Sequence, residues 1–207
     1  MVTPPHGDYA SVPLNAEGRK IADGWNVSMD GRCEAFGAPA LMRMPTRLRI
    51  SWENETTLRI DTDAGEQTRR LFFDTARMPE GPPTLQGHST AVWQRPGGGG
   101  RGGGRGGGGA RGAGPDAGTA GGYIGSLRVT TTHLRPGWLR RNGVPYSDGT
   151  TLTEYIDRFP GPDGSEWLVV TAVVNDERYL TREFVTSSHF RREPDGAGWR
   201  PQPCRMT

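Results

Sequence analysis

Glu154 and Arg158 lie four residues apart in "LTEYIDRF", in step with Leu152 and Ile156. If the stretch is a strand, alternate side chains share a face, and the two charged residues point the same way as the two aliphatic ones. A charge on a core face needs a partner, hydrogen bonds or water. Two chemistries fit. One is an internal ion pair or network that fixes sheet geometry. The other is a polar anchor for a ligand in the mouth of a barrel. Glycosidase-type paired carboxylates would need a second inward acid, and Asp157 falls on the opposite face.

His88, in "QGHS", precedes a strand and follows the rigid "GPPT". It is either a hydrogen-bonded structural histidine or a group at the cavity rim able to act as a base. With Glu154 it is the candidate base of an enzymatic alternative of hydrolase or isomerase type. No two of the four histidines show HxH or i,i+4 spacing, so no metal site is expected and no cofactor is implied. His189 alternates away from Phe190 and is expected to face solvent. "GHSTA" is not a nucleophile elbow, and the glycine run has no P-loop Lys-Ser/Thr ending. The loop "HLRPGWLRRNGVPYSDG" brings Trp138, Arg140, Arg141 and Tyr146 together. It could frame an entrance for an acidic or aromatic ligand, or be a solvated crossover with Trp138 packed down. Trp52, Trp93, Trp138, Trp167 and Trp199 could line an apolar pocket, but at strand spacing core positions are favoured.

These residues need a scaffold, and its periodicity is two. "LRISW", "TLRIDTD" and "QTRRLFF" alternate apolar and polar residues and read as a three-stranded meander. "STAVWQ", "SLRVTTT", "TLTEYIDRF", "EWLVVTAVV" and "FVTSSHFRR" follow as further strands, with "FPGPDGSEW" as the turn of a long hairpin. Eight strands with mostly short connections predict an all-β fold, a single antiparallel lipocalin-like barrel or sandwich; a closed barrel would leave no edge. Asn15 is placed to cap a short helix in "AEGRKIADGW", while "GRCEAFGAPALMRMPTR" is irregular or one helical turn at most. Residues 1–47 thus form an arm packed on a barrel domain of residues 48–207, interrupted by a Gly/Arg-rich insert at 95–122.

That insert, within "QRPGGGGRGGGRGGGGARGAG", distorts the bulk statistics. More than half of the 32 glycines lie between Gly97 and Gly125, and the net charge of +2 rests on it. From Arg95 to Gly122 four arginines face one aspartate, so the rest of the chain is close to neutral and offers no electrostatic footprint for nucleic acid. No aromatic residue lies in that range, so base stacking is missing, and RNA binding through the segment is a minor alternative. Lengthening a hairpin loop from about 4 to about 28 residues costs only roughly 1.7 kcal/mol, so a flexible insertion is the expected reading. No apolar run is long enough for a membrane helix, and the N-terminus lacks a signal-peptide pattern. Cys33 and Cys204 lack zinc-type spacing. They are two separate thiols or, in an oxidising compartment, one disulfide clipping the C-terminal tail to the N-terminal segment, worth roughly 3–5 kcal/mol if unstrained.

"GDYASVPLNAEGRKIADGW", Cys33 with "GAP", "PTLQGHSTAVW", "SLRVTTTHLRPGWLRRNGVPYSD", "LTEYIDRF" and "VNDERYLTREFVTSSHF" together resemble a family of exported bacterial β-rich proteins of unknown function. The resemblance covers most of residues 7–204. It implies a periplasmic or secreted location, an export signal upstream, a mainly β domain, and a short turn where this chain carries its Gly-rich segment. The family pattern has an acid where Thr130 stands and histidines near Val144 and Tyr146, so no metal or acid–base role carries over to those positions. The reading that follows is a β-barrel binding a small, partly apolar ligand, leaning away from an enzyme. Glu154 and Arg158 are the inward anchors, with His88, Trp138 and Tyr146 near the rim.

Overall fold

The computed structural model describes residues 4–26, 36–94 and 126–203. The expected insert at 95–122, Cys33 and Cys204 lie outside the described residues.

Two short helices lead in. Helix α1 (Ala16–Asp23) starts where Asn15 Oδ1 accepts the backbone N–H of Gly18 at 2.9 Å, with Glu17 in the first turn, and stops at Gly24. Gly18 tolerates its helical position for a packing reason. A Cβ there would meet the Tyr179 carbonyl oxygen at 2.6 Å, so the helix lies directly on the chain following Asp176. Helix α2 (Ala38–Leu41) is a single turn opened by Pro39 and is wholly buried.

The eight sequence-read strands all form and make one sheet. In chain order they are β1 (Leu48–Asn54), β2 (Thr57–Thr62), β3 (Thr68–Phe72), β4 (His88–Gln94), β5 (Ser126–Thr132), β8 (Thr151–Pro160), β9 (Glu166–Asn175) and β10 (Phe184–Arg191), and they lie side by side in that order. Between β5 and β8 a separate hairpin pairs β6 (Gly137–Arg140) with β7 (Val144–Tyr146).

The closed antiparallel barrel is corrected on two counts. First, β3 and β4 run parallel, paired only through Leu71 with Ser89 and Phe72 with Thr90. Residues 73–87 provide the dozen or more residues that a parallel return requires, where hairpin logic assumed a reversal. Second, among the described residues β1 pairs only with β2 and β10 only with β9, so the sheet curls into a half-barrel whose two edge strands do not pair with each other.

The curl can be followed along one row of partners: Trp52, Leu58, Leu71, Ser89, Thr131, Leu152, Val174 and Phe184, one from each strand. All point inward. From Leu71 to Phe184 the row is buried, whereas Trp52, on the first edge, is 53% exposed. Two clusters fill the concave side. One gathers Ile60, Leu71, Leu127, Val129 and Val170 under Met42. The other is a plug in which the arm (Tyr9, Val12, Ala22) and the β6–β7 hairpin (Leu139, Val144, Tyr146) meet Leu152, Val174 and Phe184. Fully burying each such aliphatic side chain contributes roughly 1.5–3 kcal/mol. The stretch around β6 and β7 is therefore packing material rather than a solvated crossover.

The core assignment of the tryptophans is corrected as well. Trp52 and Trp93 are exposed and flank Phe73, with ring centroids 5.1 and 5.9 Å from it. They hold inward positions, but at strand ends where no described residues form an opposite wall to cover them.

Candidate functional site

The gap between the two edges holds a cleft of about 1050 Å³, walled by β1 on one side and by β9 and β10 on the other. Its floor comes from the inward face: Leu48 and Ile50 of β1, Leu168 of β9 and Phe190 of β10. Its rim is cationic, with Arg47, Arg49, Arg158, Arg191 and Arg192 set against Glu166 and Glu193. After β10 the chain crosses back over the gap. Glu193 lies 3.6 Å from Arg47, Trp199 lies under the Arg49 guanidinium at 4.3 Å, and Gln202 bridges to Ala64.

The tail is fastened at Asp63. Its main-chain carbonyl accepts from Gln202 N–H at 2.8 Å. Its carboxylate accepts from Arg47 N–H at 2.7 Å and Thr46 Oγ1–H at 2.9 Å. Burial pushes the Asp63 carboxyl up, but these hydrogen bonds outweigh it, led by the Arg47 backbone, and hold the group below its ordinary value. A depressed folded value stabilises the protein above the unfolded carboxyl range near about 3.9, and that contribution is lost as pH falls through it. Asp63→Asn is therefore expected to be less stable than wild type at pH 7, with the difference shrinking toward pH 2 in parallel acid titrations of the melting temperature. A constant difference across that range would contradict the assignment.

Glu154 faces inward, as strand alternation placed it, but its partner is Arg69 of β3. Arg69 donates Nη1–H to Oε1 at 3.1 Å and Nη2–H to Oε2 at 2.7 Å, and both side chains are only 1% exposed. The Thr131 and Ser89 hydroxyls accept from the same guanidinium at 3.1 and 3.3 Å. With both oxygens engaged and no exposed surface, Glu154 sits where a ligand anchor or a base would have to break this pair to act. Arg158 shares the face of Glu154 but lies at the exposed end of β8, on the cleft rim, paired with Glu166. Sequence spacing grouped the two; the fold gives each a different partner.

His88 is 9% exposed and stacks on Phe72 with centroids 5.1 Å apart. Its buried Nε2 has no hydrogen-bond partner among the described residues, and it lines a separate pocket of about 160 Å³ with Arg77, Glu80 and His133. Register puts His88 on the outer face of β4, away from Glu154 and from the cleft. Tyr146, 1% exposed, sits in the plug between Gly37 and Gly137, where any Cβ would strike its ring or hydroxyl. Trp138 is half-buried in β6 of the same hairpin. Neither lines the cleft. His189 is exposed, opposite in direction to Phe190, and stands at the cleft with its ring 5.8 Å from Trp167.

The residues that sequence reasoning missed are Arg47, Arg49, Arg191 and Arg192, whereas Trp167 and Trp199 line the cleft as the less favoured pocket alternative had them. The only signal was a basic, aromatic tail, "RREPDGAGWR", whose proximity to "TRLRI" depends on the curl of the sheet. Among the described residues no cluster of three metal-ligating side chains occurs, and no helix is long and apolar enough to cross a membrane. No family model, no curated protein and no solved structure matches the chain.

Proposed function

We propose that the protein binds a small, partly apolar ligand in the cleft between β1 and β10. One observation carries the reading: an apolar floor under a polar, cationic rim, in a volume at the upper end of the roughly 300–1,000 Å³ of ligand pockets. The binding place moves from the barrel interior of the sequence reading to its seam, because side chains fill the space around Arg69 and Glu154. Trp167 and Trp199 at the rim are built-in reporters. Incubation with aromatic and lipid probes, followed by native mass spectrometry and tryptophan fluorescence, tests the proposal. A retained probe with a spectral shift supports it; no retention and no shift would end it.

An exported location belongs to the same proposal. It rests on the family resemblance, and an oxidising compartment would pair the two cysteines. Thiol titration of the unfolded, unreduced protein is expected to find no free thiol. Two free thiols would count against both the bridge and export.

A further inference from the structure

Resting on that binding reading, we infer that the ligand is an acidic amphiphile, a single hydrocarbon chain ending in a carboxylate. The cleft is divided by strand alternation. Leu48, Ile50, Leu168 and Phe190 project to the concave side, and Ile50 remains 42% exposed there although its partner Ile60 is buried. Arg49 and Arg191 of opposite parity, Arg158 and Glu166 at strand ends of the floor's own parity, and the returning tail carry charge at the lip. A chain laid on the floor would cover Ile50, and its head would emerge among guanidiniums.

Charge at the lip is unbalanced. Arg158 and Arg192 share Glu166, Arg47 has Asp63 and Glu193, and Arg191 reaches Asp163. Arg49 forms no ion pair within 4 Å among the described residues, since Asp61, its neighbour across the β1–β2 pairing, is taken by Arg59. It is held over the Trp199 ring, which orients the cation without neutralising it. A planar guanidinium in that position presents paired N–H donors to a carboxylate. A cationic head would meet the surplus charge unfavourably, and an uncharged head would leave it unanswered.

The experiment is calorimetric titration of the full chain with dodecanoate, dodecanol and dodecyltrimethylammonium, each below its micelle concentration. Dodecanoate is expected to bind at least tenfold more tightly than either of the others. Shortening it to decanoate should weaken binding about tenfold, since each buried methylene contributes about three- to fourfold. Arg49→Gln, an exposed substitution, is expected to weaken dodecanoate about tenfold and leave dodecanol unchanged. Dodecanol or the ammonium binding as tightly as dodecanoate would overturn the acidic assignment while leaving the binding reading intact. No binding by any of the three would overturn both. Sedimentation with phosphatidylglycerol vesicles without binding of monomeric dodecanoate would replace the free amphiphile with a membrane surface.

Discussion

Glu154→Gln is expected to destabilise the protein by about 3–5 kcal/mol, measured as a fall in the urea midpoint at unchanged slope. The substitution keeps the shape of the side chain and removes only its charge. Arg69 is then left ionised, 1% exposed, with two hydroxyl acceptors and a buried Nε that already lacks a partner. Removing both charges is a different matter. Arg69→Met combined with Glu154→Leu should recover much of the loss, because the desolvation cost of two ions disappears with their attraction. A double-mutant cycle therefore separates the pair from its packing, with a coupling energy well above the few tenths expected of independent sites. If the single variant lies within about 1 kcal/mol of wild type, water reaches Arg69 and the pair is not the sealed unit described above.

Gly143→Ala is the second large effect. Gly143 turns the β6–β7 hairpin at φ +91°, in the region that side chains rarely adopt. Its missing Cβ would lie 2.5 Å from Trp25 Cβ and 2.9 Å from the Ala22 carbonyl. The strain and the contact act together, since the hairpin cannot relax without pushing the arm off the plug. A loss of about 2–3 kcal/mol is expected, or a melting temperature roughly 4–12 °C lower for a chain of this length. The readout specific to this mechanism is Trp25, which is 8% exposed in the native state. Its emission should shift to the red in the folded variant. An unshifted spectrum with full stability would mean that the arm is not seated on Gly143.

The strands were legible because alternation and β-branched, aromatic composition are local properties, and each of the eight runs carries one or the other. Asn15 was legible for the same reason, since its cap contact lies three residues ahead. Closure was not legible. Nothing within residues 73–87 announces a crossover rather than a turn, and the direction of β4 depends on where His133 and Leu134 wait for Gly81 and Thr84. Glu154 shows how far spacing reaches. Alternation placed it inward, and the same rule puts Arg69 on the face of Leu71, but neither run names the other as its partner across β4 and β5. The plug was missed because β6 and β7 are too short to show a period. The cleft was missed because its two walls are the strands farthest apart in the sheet.

The parallel seam has a kinetic consequence. Within the sheet only two residue pairs among the described residues join the three-stranded β1–β3 leaf to the other five strands; the Arg69–Glu154 pair and the tail hydrogen-bonded at Asp63 and Gly65 make the other ties. The leaf closes through short local turns, whereas the seam must wait for the loop of residues 73–87, so docking of a preformed leaf is the natural late step of folding. The same joint is where the native state should open below the cost of global unfolding, exposing the β1–β3 amides to hydrogen exchange as one unit. Because β1 is one wall of the cleft, that opening also widens it. A ligand held between β1 and β10 would therefore slow exchange throughout the leaf, including at amides it never touches.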